Sequence, residues 1–146
     1  MAGTSDYFEV ISIEDNIIHA KLSGSWSDRV MEQFSEEIQT RFTEAVLSLK
    51  GKRFILLADW SESLILGSKA EAHLAQSMVI FKQNNGYKAV EIVPKTLVRI
   101  GLKQAATKTR EDNFRIVVST MAEAQEVIQR LQEDLKNTRP LVADAD

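Results

Sequence analysis

Few side chains in this sequence have both the type and the spacing that chemistry requires. The two histidines, His19 and His73, stand far apart and have no companions at metal-ligand spacing. Cysteine is absent, which removes thiolate metal sites and disulfides together. Asp59 and Ser68 are the natural candidates for an acid and a nucleophile, but nothing beside them completes a triad. The glycines are scattered punctuation, with no run that cradles phosphate. No catalytic set, metal or cofactor is expected, and the chain reads as a binding or regulatory protein, not an enzyme.

Two groups of residues suit binding. Trp26 and Trp60 each follow a strand and can wall a shared apolar pocket, with Asp59 at its rim; equally, the two indoles can simply cover the edge of the core, and Asp59 can organise a loop. The second group lies between Lys95 and Arg110, where Lys95, Arg99, Lys103, Lys108 and Arg110 occur without a single acid. On a helix Lys95, Arg99 and Lys103 fall every four residues, with Arg110 on the same side. Val98, Leu102 and Ala105 form one apolar strip there. Leu97 and Ile100 project elsewhere, toward a ligand, the fifth strand or a second subunit. Gly101 weakens such a helix by about 1 kcal/mol. Near anionic lipid each basic residue contributes about 1 kcal/mol, so weak, salt-sensitive membrane contact is expected, against a solvated charged face as the alternative. The net charge of −3 excludes a general nucleic-acid binder.

The elements that must position these residues are legible from periodicity. Tyr7 to Ile13 and Ile17 to Ser23 are β-branched and aromatic, joined by Glu14-Asp15-Asn16, a hairpin turn. Ser27 caps a long helix to about Leu49, with Val30, Phe34, Ile38, Phe42 and Val46 at four-residue intervals. Phe54 to Asp59 is apolar on both faces, the mark of a central strand. A loop leads to Ser68 and a second helix to Asn84, with Ala70, Leu74, Met78 and Phe81 inward. Asn84-Asn85-Gly86 stops it. Lys88 to Val93, a third helix from Thr96 to Thr109 behind Pro94, Phe114 to Val118, and a last helix from Thr120 to Asn137 complete the chain. The order β-β-α-β-α-β-α-β-α predicts an α/β fold with a single mixed, mostly parallel five-stranded sheet flanked by helices. Residues 1–6 are expected to be a flexible N-terminus, 7–137 the domain, and 138–146 an acidic tail.

This order, with Leu22-Ser23-Gly24 closing the second strand, Asn85-Gly86 before the fourth and Pro94 opening the third helix, resembles the STAS domain. The resemblance runs from about Tyr7 to Leu135. It implies a cytoplasmic regulator akin to anti-sigma factor antagonists, in which a partner kinase phosphorylates a serine within an Asp-Ser-Ser-Gly type motif. The matching stretch here is Gly67-Ser68-Lys69-Ala70, which makes Ser68 the phospho-acceptor candidate although Gly67 and Ala70 depart from the motif. The residues themselves offer another role, since Ser68-Lys69-Ala70-Glu71 has the pattern of a capping box. The chain is closest in character to the divergent SpoIIAA-like group, likened to CRAL-TRIO lipid-binding domains. The leading expectation is therefore a module that binds an apolar or lipid-like small molecule, with peripheral contact at the inner membrane surface. The alternative is a phospho-regulated protein–protein switch docking a kinase or sensor through the segment from Trp60 to Ser68. A homodimer is compatible with either.

Overall fold

The computed structural model describes residues 3–93 and 114–144, with backbone alone at 65 and from 138 onward. β1 (Phe8–Glu14) and β2 (Ile17–Trp26) form the expected antiparallel hairpin. Its turn is made by Asp15 and Asn16 with φ of 52° and 61°. Two successive left-handed residues match the right-handed twist of the flanking strands, and Asp and Asn tolerate that backbone at low cost.

β3 (Phe54–Leu66), β4 (Gly86–Ile92) and β5 (Arg115–Val118) then add in chain order, all parallel to β2. α1 (Asp28–Leu47) links β2 to β3, α2 (Ser68–Gln83) links β3 to β4, and α3 (Met121–Asp144) follows β5. Right-handed crossovers that add strands in one direction must place both linking helices on one face of the sheet. Accordingly α1 and α2 pack over Phe54, Ala58 and Trp60 of β3, while Ile55 and Leu57 face Ala124, Ile128 and Leu131 of α3. The two-sided apolarity of β3 follows directly from this placement.

The helical stripes are those expected. Ser27 caps α1 by accepting the Val30 N–H at 3.2 Å, and Phe34, Ile38, Phe42 and Val46 are buried. Ala70, Leu74, Met78 and Phe81 are the inward residues of α2, and the second helix stops at Asn84 with Asn85 at φ 72°. Gly86 is required for a different reason: a Cβ there would lie 2.5 Å from the Phe81 ring.

Several expected boundaries move, and β2 runs to Trp26 and not only to Ser23. Trp60 to Leu66 is strand, not loop, and pairs with β2 as far as Trp26. The register shifts between Lys21/Ser23 of β2 and Asp59/Glu62 of β3 mark a bulge, where the Asp59 carboxylate accepts the Ser61 N–H at 2.9 Å. The bulge reverses the alternation, so that Ser63 turns inward and donates to the Leu22 carbonyl at 2.8 Å, leaving Glu62 and Leu64 exposed. Thr4–Asp6 form one 3-10 turn in which Thr4 is buried and its hydroxyl donates to Glu37, so this part of the N-terminus is docked. The last helix runs beyond Asn137 to Asp144.

Candidate functional site

Four of the residues singled out from the sequence lie together in one part of the fold: Trp26 ends β2, Asp59 and Trp60 lie within β3, and Ser68 starts α2. Trp26 ends β2 and Trp60 lies in β3, and the structure brings them together with ring centres 5.3 Å apart. Both are 1% exposed. The Trp26 indole N–H donates to the Ser23 carbonyl at 3.2 Å. The Trp60 N–H is buried without an acceptor among the described residues. The indoles fill the core beneath α2 and leave little room between them and the sheet.

That room is a cavity of about 70 Å³, whose lining includes Trp26, Trp60, Leu74, Met78 and Phe81 together with Glu91 and Arg115. A cavity that admits benzene measures roughly 150 Å³, and a water takes about 30 Å³ of liquid volume. The space is under half the size of a cavity that admits benzene and far from the size of a lipid. Asp59 does not join the two indoles. It pairs in register with Lys21 and Ile92, on the face of the sheet opposite Trp60. The Lys21 ammonium, 2.7 Å from Glu62, is held above its ordinary pKa first by that hydrogen bond and charge, with Asp59 and Glu9 adding to the effect. Leu97, Ile100, Lys95, Arg99, Lys103, Lys108 and Arg110 lie outside the described residues.

Ser68 sits at the exposed first residue of α2, and its environment differs from the capping box read from the sequence. Gly67 occupies the N-cap and supplies no side chain. The cap comes instead from α1: the Asp28 carboxylate accepts the Lys69 N–H at 2.9 Å, and the Ser68 hydroxyl lies 3.3 and 3.5 Å from its two oxygens. A Cβ at residue 67 would stand 2.6 Å from Asp28 Oδ1, so glycine is what admits the carboxylate. Beside it, Lys69 Nζ is 3.3 Å from Glu32 Oε1, a second tie between the helices. One anionic group thus sits at the start of both α1 and α2, where the unsatisfied N–H groups of each helix favour negative charge.

Three buried polar residues carry no role in the sequence reading. His73 packs edge-on to Trp26 at 5.5 Å and is 9% exposed; burial lowers its pKa to about 4 and keeps the ring neutral. Glu91 and Arg115 form an ion pair whose side chains are 7% and 4% exposed. The signal for this pair was present in the strands themselves. A glutamate within Ala89-Val90-Glu91-Ile92-Val93 requires a cationic partner once the strand is buried, and Arg115 is the cation that begins β5.

No family sequence model matches the chain, and no curated protein matches it in sequence. Solved structures do match in fold. The anti-sigma factor antagonist SpoIIAA in its unphosphorylated form aligns with a TM-score of 0.56 at 12% identity, covering 86% of this chain and 97% of that one. A putative anti-sigma factor antagonist from Thermotoga maritima gives 0.57 at 11% identity, with 86% and 95% covered. The Bacillus cell fate determinant SpoIIAA in its phosphorylated form gives 0.54 at 11% identity, with 83% and 98% covered. The ordered set of strands and helices together with these alignments identifies the fold as SpoIIAA-like.

Proposed function

We propose that this chain is a non-catalytic regulatory module that works by docking a protein partner at the carboxyl ends of β2 and β3, with Ser68 as its phospho-acceptor. The observation that carries the reading is the position of Ser68: exposed, at the first residue of α2, in a fold whose solved examples include SpoIIAA in phosphorylated and unphosphorylated forms. The partner class is a kinase or sensor. The β3 extension that leads into α2 supports it, since its exposed Glu62 and Leu64 offer charge together with an apolar contact.

The small-molecule reading gains no support: the cavity beside the indoles measures about 70 Å³, Asp59 lies on the opposite face of the sheet, and Leu97 and Ile100 lie outside the described residues. Membrane contact rested on the basic residues from Lys95 to Arg110, outside the described residues, so it gains no support. Among the described residues no helix is long and apolar enough to cross a membrane.

The test combines phosphoproteomics in the native host with affinity capture. The expected result is a phosphorylated Ser68 peptide, and a partner retained by Ser68→Ala but released by Ser68→Asp. Ser68 found unmodified at full peptide coverage, with identical capture by both variants, overturns the proposal.

A further inference from the structure

We infer that Asp28 and Ser68 form a charge-sensitive latch between α1 and α2, and that phosphorylation of Ser68 evicts the Asp28 carboxylate from the start of α2. The inference rests on the regulatory reading above, since it concerns the same serine, and adds what the modification does to the fold.

The latch is built from four features. Gly67 leaves the start of α2 without a side-chain cap of its own. Asp28, the first residue of α1, fills that role across the seam by accepting the Lys69 N–H at 2.9 Å. Gly67 is also the space into which the carboxylate fits, since a Cβ would approach Asp28 Oδ1 to 2.6 Å and the Asp28 nitrogen to 3.1 Å. The Ser68 hydroxyl, 3.3 Å from Asp28 Oδ2, donates its proton to the same carboxylate.

Phosphorylation reverses the sign of this contact. A partner kinase transfers the terminal phosphoryl group of a nucleoside triphosphate to Ser68 Oγ. The new P–O bond forms as the bond to the diphosphate leaving group breaks, and the hydroxyl proton passes to a base of the kinase. Oγ then has no proton to donate to Asp28, and a group of charge about −1.5 to −2 sits against a carboxylate. Phosphate and Asp28 also compete for the same Lys69 N–H. The phosphate is tethered one residue away, bears more charge and has three acceptor oxygens, so Asp28 is the group displaced. The first turn of α1 loses this tie to α2, while the exposed Glu32–Lys69 ion pair, a contact of little strength, and the bond from the Gly67 N–H to the Trp26 carbonyl persist.

The experiment uses the purified full chain in a charge cycle. Ser68→Glu is compared with its neutral isostere Ser68→Gln, each with Asp28 intact and with Asp28→Asn, and each is followed by melting temperature and by amide hydrogen exchange across residues 28–32. With Asp28 intact, Ser68→Glu is expected to melt about 2–4 °C below Ser68→Gln and to exchange several-fold faster in that first turn. With Asp28→Asn the difference is expected to vanish or change sign, because negative charge at the start of α2 is then unopposed. Protein carrying encoded phosphoserine at position 68 is expected to shift in the same direction as Ser68→Glu. An equal Glu–Gln difference in both backgrounds, or unchanged exchange in residues 28–32 on phosphorylation, overturns the latch. These proteins never meet a kinase, so an unmodified Ser68 in cells removes the functional reading alone, and a flat charge cycle removes the latch alone.

Discussion

Trp26 and Trp60 pack against one another with ring planes inclined at 59°, and the His73 ring meets Trp26 edge-on from α2. The three rings join the end of β2 and the middle of β3 to the helix that starts at Ser68, so the stability of this region bears on the proposed docking face.

Trp26→Ala is expected to cost about 3–5 kcal/mol, the range for removing a large aromatic side chain from a packed core. Trp60→Phe is expected to cost much less. It keeps most of the ring volume and removes an indole N–H that is buried without an acceptor among the described residues. Urea unfolding of the two variants, followed by the fluorescence of the remaining tryptophan, checks the order. Equal losses for both contradict it.

His73 makes stability depend on pH in a defined window. Its pKa is about 4 in the folded chain and near 6.5 when exposed, so the unfolded state binds the proton first as pH falls. The contribution is fully present above pH 6.5 and is lost progressively as pH drops toward 4, amounting to about 2–3 kcal/mol in all. Denaturant titrations at pH 7.5 and 4.5 measure this loss, and His73→Phe is expected to flatten that part of the profile. A profile of unchanged slope in the variant assigns the effect to other groups.

The Glu91–Arg115 pair joins β4 to β5 and lines the cavity. Arg115→Met leaves a buried carboxylate without its cation and is expected to cost about 3–5 kcal/mol. The double variant Glu91→Leu with Arg115→Met is expected to recover most of that loss, since two apolar side chains of similar volume replace two desolvated charges. Thermal unfolding of the single and double variants decides this; a double variant less stable than Arg115→Met contradicts it.

Gly67→Ala is expected to destabilise the chain by about 1–2 kcal/mol while Asp28 is present, through the clash at 2.6 Å and the loss of the α2 cap. In an Asp28→Ala background the same substitution is expected to be close to neutral, because the colliding carboxylate is gone. The interaction energy from this double-mutant cycle is the measurement. Additivity of the two substitutions means that Gly67 and Asp28 do not share the space.

Much of the architecture was legible because it follows from local periodicity. The four-residue stripe of α1, the two-sided apolar run beginning at Phe54 and the Asp15-Asn16 turn each specify an element without reference to the rest of the chain. The extension of β3 through Leu66 was not legible. Asp59, Ser61 and Ser63 have low strand propensity, and the bulge that makes them useful breaks the alternation by which a strand is recognised. Ser68 was legible as a helix start. The sequence pattern nonetheless named the wrong cap, because a capping box is a local rule and Asp28 lies forty residues away.

The sequence by itself determined the order of elements, their inward faces and the candidacy of Ser68, since these depend on spacing along one helix or strand. Only the tertiary structure decided that Trp26 and Trp60 fill the core, that Asp59 faces away from them, and that Asp28 joins Ser68. Each of those outcomes depends on which strands become neighbours and which face each residue takes, and a one-residue bulge is enough to change the answer.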